Sequence, residues 1–162
     1  DAAFVPLTVF STSIHLGGQM SSWLKLQRRG CPTSWYSFNG RCYKYISSPK
    51  TWFGAQVHCA SQGANLVSIH TSHEQNFVTA LISSFDYSAR PTWIGFSDTS
   101  QEGRWTWSDG ASVNYVFWTA GQPNGGTREN CGVINWGSSF SWSDLSCSYS
   151  YPSVCRLMIF HV

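Results

Sequence analysis

The sequence predicts an α+β fold in which two helices come first and a strand-rich half follows. Three observations predict it. Two windows between residues 48 and 82 carry helix caps and apolar residues at helical spacing. From Thr92 onward, short aromatic segments alternate with Gly, Ser and Asp, the pattern of antiparallel strands joined by long loops. Six cysteines, Cys31, Cys42, Cys59, Cys131, Cys147 and Cys155, make an even number spread over both halves. None forms the C-x-x-C pair of a zinc site, so disulfides are expected, with fifteen pairings open on spacing alone.

Each element has a local reason. "CPTSWYSFNGRCYKYI", residues 31–46, is two aromatic runs around Asn39-Gly40, the dipeptide of a two-residue hairpin, with a cysteine on either side. Ser48-Pro49 is expected to cap the first helix, which runs to about Gln62 with Trp52, Ala55 and Cys59 on one face and Gly63 as its stop. A short strand, "ANLVSI", follows. Thr71 and Glu74 then form a capping box for a second helix lined on one side by Phe77, Val78, Leu81 and Ile82. The later strands are expected in "TWIGFS", "RWTWSDG", "CGVINW", "FSWSDLSC" and "SVCRLMIF".

A chain of 162 residues is enough for one ordinary domain with an attached arm. The net charge is +2, the charged fraction is 11%, and no basic run exceeds Arg28-Arg29, so nucleic acid is not an expected partner. Aromatic residues make up 16% of the chain, and each ring is read first as core. Residues 1–30 lack cysteine and are broken by Ser and Gly; they are set apart as an N-terminal arm or pro-segment, with residues 31–160 as the folded domain. The apolar run from Ala2 to Phe10 is shorter than the roughly 20 residues of a membrane span. No basic residue precedes it, so no intact signal peptide is evident. A signal remnant, a pro-segment and a loosely attached arm stay open for this stretch. Arg28-Arg29 reads equally as a processing site or as a solvated pair of charges. No Asn-x-Ser/Thr sequon occurs. Persistent disulfides require an oxidising compartment, so a secreted, extracellular protein is expected.

Catalytic signals are missing. There is no G-x-S-x-G, no cysteine outside the framework and no carboxylate pair with an evident acid/base division, so a binding protein is expected rather than an enzyme. "HTSHE", with His70, His73 and Glu74, superficially suggests a metal cluster. Thr71 and Glu74 are already used in capping, and no further ligand follows at zinc-like spacing.

Taken in order, Cys31, Cys42, Cys59, "WIG" at residues 93–95, "EGRWTWSDG" at 102–110, "QPN" at 122–124, "ENC" at 129–131, "WSD" at 142–144, Cys147 and Cys155 resemble the C-type lectin-like domain. The resemblance spans residues 31–160 and is greatest to small soluble fish lectins and the related type II antifreeze proteins. It implies two small antiparallel sheets, a long loop region and three disulfides: Cys31–Cys42, Cys59–Cys155 and Cys131–Cys147. It also implies calcium held by Gln122, Asn124, Glu129, Ser143 and Asp144, oxygen donors of the kind calcium takes. In this family the proline of the tripeptide is cis, turning both flanking side chains to one side; Pro123 stands at that position. The sugar would then be bound by Gln122, Asn124, Glu129 and Asp144. Trp136 is the candidate ring for stacking, with packing as its alternative role.

Three departures bear on this expectation. Mannose-type members carry Glu-Pro-Asn and galactose-type members Gln-Pro-Asp, whereas this chain has Gln122-Pro123-Asn124, half of each, so sugar specificity is undecided. The tripeptide has no carboxylate, which leaves Glu129 and Asp144 to offset the ion's charge and lowers the expected affinity. Ser143 stands where the family has Asn. A second calcium site of some members would use Asp98, Glu102, Glu129 and Asn130, but Gly125 replaces an expected acid. Asp98 is therefore read as a loop residue and Glu102 as a turn carboxylate. The expected function is a calcium-dependent lectin recognising glycans on cell or microbial surfaces, with a homo-oligomer raising avidity. The alternatives are an ice-binding protein on the same scaffold, whose members usually carry ten cysteines, and a calcium-independent module that binds protein.

Overall fold

The computed structural model describes residues 2–6 and 23–158. In chain order its elements are β1 (Ala2–Pro6), β2 (Trp23–Gln27), β3 (Tyr36–Phe38), β4 (Arg41–Lys50), α1 (Trp52–Ser61), β5 (Ala64–Leu66), α2 (Ser72–Phe85), β6 (Thr92–Ser97), β7 (Thr106–Trp107), β8 (Cys131–Trp136), β9 (Ser141–Leu145) and β10 (Tyr151–Leu157). The α+β class with two helices stands.

Local chemistry explains most boundaries. Asn39 and Gly40 both take positive φ, 50° and 76°, which closes a two-residue turn with Phe38 opposite Arg41. Helix α1 begins at Thr51, whose hydroxyl accepts from the Gly54 amide at 3.1 Å, and not at Ser48 as the sequence suggested. Ser48 to Lys50 instead extend β4: Lys50 lies opposite Tyr151 and Ile46 opposite Ser153, so the intervening residues bulge and accommodate Pro49. On α2 the capping box forms with one change. Thr71 accepts from the Glu74 amide at 3.0 Å, while the Glu74 carboxylate accepts from the His70 amide at 2.8 Å. The inner faces are as expected, with Trp52, Ala55 and Cys59 buried on α1 and Phe77, Val78, Leu81 and Ile82 buried on α2.

The strands form two antiparallel groups. β1 to β5 assemble around β10, and β6 to β9 form the second group; a single parallel register, Ser153 with Trp93, joins them into one mixed sheet. The end of the N-terminal segment is part of the first group, because Gln27 pairs with Ser37 and Leu26 is buried. Its beginning, β1, pairs with β2 throughout. The last two residues of the domain bounds given above, 159 and 160, lie outside the described residues.

All three disulfides form: Cys31–Cys42, Cys59–Cys155 and Cys131–Cys147. The second joins α1 to β10 across a sequence separation of 96. On a chain-entropy argument, closing a loop of that order stabilises the fold by about 4–5 kcal/mol. The aromatic residues largely build the core. Phe96 lies 4.3 Å from Trp107 and 5.4 Å from Trp142, ring centre to ring centre, and Trp142 is fully buried. The Trp142 indole N–H donates to Gln75 Oε1 at 2.8 Å, and Gln75 Nε2 donates to the Phe140 carbonyl at 2.9 Å. Helix α2 thereby holds the start of β9.

Asp86 ends α2 and holds the turn that leads to β6. Its carboxylate accepts from the amides of Ser88 and Arg90, from the Ser88 hydroxyl and from Arg90 Nε at 2.9 Å. Partial burial would raise this carboxyl. The hydrogen bonds from Ser88 and Arg90 and the guanidinium charge outweigh that effect, bringing it from 3.8 to about 2. A depressed carboxylate stabilises the fold above its unfolded pKa and loses that contribution as pH falls through the folded value. Asp86→Ala is therefore expected to lower unfolding stability by roughly 1.5–3 kcal/mol at pH 7. Wild-type and variant denaturant midpoints should draw together between pH 4 and pH 2; a gap that is constant across this range would refute the assignment.

Candidate functional site

Strand β9 is the last strand of the sheet, and its free edge is covered by the long loop that leads from β7 to β8. Two residues of β9 hold that loop. At Trp142 the backbone amide donates to the Phe117 carbonyl and the carbonyl accepts from the Thr119 amide, both at 2.8 Å. Two residues on, Asp144 reaches the loop with its side chain: Oδ1 accepts from the Asn124 amide at 3.1 Å and Oδ2 from the Gly125 amide at 2.9 Å. Asp144 is only 2% exposed, and a carboxylate so buried is tolerable because these donors replace its water. The Gln122-Pro123 peptide is cis. A single 3₁₀ turn, Gly126–Arg128, then leads to Glu129.

Gly125 is required at its position. A Cβ there would collide with the Cβ, Cγ and Oε1 of Glu129, so the Glu129 side chain lies across the space that glycine leaves. Cys131, two residues after Glu129, lies opposite Leu145 and is bonded to Cys147. The disulfide thus ties the Glu129 segment to the turn that follows Asp144.

The site is rich in acceptors that lack donors. Gln122 Oε1, Asn130 Oδ1 and Asp98 Oδ1 are buried without a hydrogen-bond partner among the described residues. Asp98 lies beside Asn130, its amide donating to the Asn130 carbonyl at 3.1 Å, and its other carboxylate oxygen accepts from the Gly103 amide at 2.8 Å. The carboxylates also feel one another. Glu129 is pushed up by desolvation and then by the charge of Asp144, with Arg128 opposing. Glu102 is pushed up by desolvation and then by Asp98 and Asp144. Uncompensated oxygens and mutually repelling carboxylates are what a hard cation would relieve, and the donor set, all oxygen, suits calcium. Gln122, Asn130, Glu129 and Asp144 could hold such an ion, with Asp98 beside Asn130. Among the described residues no three His, Cys, Asp or Glu side chains converge as a metal cluster, so any ion here depends on amide oxygens as well.

The remaining predicted residues have distinct surroundings. Asn124 is exposed at the loop surface. Ser143 is buried, and its hydroxyl donates to the Asp144 carbonyl at 3.3 Å. Trp136 is half-buried and packs on the cluster around the disulfides. His70 hydrogen-bonds to Asn114 Oδ1 at 3.0 Å and Ser68 Oγ at 2.9 Å. Beside Asp144 opens a cleft of about 670 Å³ lined by Asn124, Gly125, Arg128, Glu129, Ser146 and Tyr149. Arg128 and Tyr149 were not singled out in the sequence. Neither sits in a periodic or capping pattern, and only their position beside Glu129 and Cys147 hints at the cleft.

A loop pinned to a terminal strand by a buried aspartate, over two helices and three disulfides, defines a lectin-like scaffold, and residues 48–157 match the family model of the C-type lectin domain. The chain belongs to that family. It is 38% identical over 148 residues to ladderlectin of Oncorhynchus mykiss, covering 89% of this chain and 78% of that protein. It is 37% identical over 126 residues to the galactose-specific lectin nattectin of Thalassophryne nattereri, covering 77% of this chain and 79% of that protein. The solved structure of herring type II antifreeze protein superposes with a TM-score of 0.73 at 40% identity, over 78% of this chain and 97% of that chain. The first two of these relatives are named as lectins, and the chain is not an enzyme.

Asp144→Ala is expected to strand the amides of Asn124 and Gly125 and to lower stability by roughly 2–4 kcal/mol. Hydrogen exchange at those two amides should accelerate by about tenfold or more. Unchanged exchange would mean that Asp144 does not hold the loop.

Proposed function

We propose that this protein is a secreted, calcium-dependent carbohydrate-binding protein whose site is the loop between Gln122 and Asn130 together with Asp144. The observation that carries this reading is the set of buried oxygens without donors, Gln122 Oε1, Asn130 Oδ1 and Asp98 Oδ1, beside the mutually repelling carboxylates. Calcium, when bound, supplies open coordination positions that two neighbouring hydroxyls of a sugar can fill. The chain's own groups do the rest. Gln122 and Asn124 offer amide N–H donors to those hydroxyls, and Glu129 and Asp144 offer acceptors, so the pattern of donors and acceptors reads hydroxyl orientation. Ser143 has its hydroxyl on the Asp144 carbonyl, and we assign it the task of holding that carbonyl rather than the ion. Trp136 is assigned to packing.

Galactose-like and mannose-like sugars both remain candidates for Gln122-Pro123-Asn124, and the galactose-specific relative makes galactose the first to test. With Glu129 and Asp144 as the principal charges, calcium affinity is expected in the weak extracellular range, about 10⁻⁴–10⁻³ M. The three disulfides suit an oxidising, extracellular setting. An ice-binding role is the second reading, supported by the likeness to herring type II antifreeze protein. Six cysteines, against the ten usual in such proteins, favour the lectin.

Retention on immobilised galactose or mannose should require calcium and vanish with a chelator, while thermal hysteresis of a dilute solution should be absent. Hysteresis without sugar retention would establish the ice-binding reading instead. Glu129→Gln should weaken calcium by about tenfold or more in a calorimetric titration. An unchanged isotherm would remove Glu129 from the site.

A further inference from the structure

The cleft beside Asp144 extends beyond the loop that would meet calcium and sugar. Of its six lining residues, Asn124, Gly125, Arg128 and Glu129 belong to that loop and Ser146 and Tyr149 follow Asp144; Arg128, Ser146 and Tyr149 make none of the calcium or sugar contacts proposed above. A cleft of about 670 Å³ falls within the roughly 300–1,000 Å³ of ligand pockets, large enough to seat more than the two hydroxyls at an ion.

Arg128 is one of the lining residues. The residue is exposed at the end of the 3₁₀ turn, and its guanidinium makes no hydrogen bond or ion pair among the described residues; only its amide is engaged, with the Gly125 carbonyl at 3.1 Å. By contrast, Arg90 and Arg156 have carboxylate partners. Arg128 is nonetheless near enough to Glu129 to oppose the upward push on that carboxyl. Tyr149 lines the same cleft. It is 53% exposed and makes no ring contact among the described residues, while its amide is held by the Ser146 carbonyl at 3.2 Å. One disulfide joins the segments that carry the two residues: Arg128 precedes Cys131 by three residues, Tyr149 follows Cys147 by two, and the two cysteines are bonded.

The chemistry of this pair is complementary to one kind of ligand. A guanidinium without a partner binds a planar or tetrahedral oxyanion through two N–H groups and gains little from a hydroxyl. An exposed phenol ring accepts the C–H face of a pyranose by stacking. If the two carboxylates of Glu129 and Asp144 balance a divalent ion, the charge of Arg128 is left over. This deepens the lectin reading and rests on it. We propose that the cleft selects acidic saccharides, sugars bearing a carboxylate or a sulfate ester, with Arg128 contacting the anion and Tyr149 supporting the ring.

The test is calorimetric titration of the full chain, in calcium, with the methyl glycosides of galactose and mannose, their uronic acids and their 6-sulfates. The acidic form of whichever sugar binds should be preferred by about three- to fivefold at low salt, a size expected for an exposed ion pair. The preference should fall below about twofold at 0.5 M salt as screening shortens the reach of the charge. Arg128→Ala should abolish the preference while leaving neutral-sugar binding and the unfolding midpoint unchanged, and Arg128→Glu should reverse it. Tyr149→Ala should weaken all bound sugars together, with Tyr149→Phe restoring them. Preference for the uronic acid assigns a carboxylate and preference for the sulfate assigns a sulfate ester; either supports the proposal. Equal binding of neutral and acidic forms, or a preference that survives Arg128→Ala, overturns it and leaves the lectin reading in place. If no sugar of any kind binds in calcium, the lectin reading falls and takes this inference with it.

Discussion

The carboxylate of Asp144 is the constraint on which the site depends. It is buried, charged and aimed at a loop that has little regular structure, and it meets the backbone amides of Asn124 and Gly125 at 3.1 and 2.9 Å. Each side solves the other's problem. The carboxylate needs donors to replace lost water, and the loop amides need acceptors because no strand pairs with them. A neutral amide of the same size could accept from only one of the two loop amides and would turn a donor toward the other.

The anchor works because β9 is itself held rigidly. Trp142, two residues earlier, lies among Phe96, Trp107 and Tyr115 and donates to Gln75 of α2. Alternation along the strand puts Trp142 and Asp144 on one face, so core packing beneath the first sets the height and direction of the second. The Cys131–Cys147 bond then prevents β8 and the turn after β9 from separating. The loop needs little internal order, since its end points and its middle are all fixed from below. Gly125 completes the arrangement by leaving room for Glu129, whose side chain a Cβ at this position would meet.

Much of the fold could be read directly, and the reasons are local. The Asn39-Gly40 turn, the Thr71 cap and the apolar faces of both helices follow from interactions within four residues, which one stretch of chain displays completely. The start of α1 was misplaced for the opposite reason. Ser48-Pro49 has good capping chemistry, but Lys50 pairs with Tyr151, 101 residues away, and that long-range register keeps the segment in β4. The N-terminal segment is a similar case: nothing in its composition announces that Gln27 pairs with Ser37.

For the site, the sequence by itself determined which donors were available: amides at Gln122 and Asn124, carboxylates at Glu129 and Asp144, and cysteines to fix their spacing. Family resemblance supplied the pairing of those cysteines, which spacing alone left open. Only the tertiary structure decided that Asp144 anchors the loop amides, that Ser143 turns to a carbonyl, that Trp136 is half-buried in packing and that Arg128 and Tyr149 line one cleft. The division has a physical cause. Side-chain chemistry is a property of each residue, whereas burial, orphaned oxygens and clefts are made by segments brought together from distant parts of the chain.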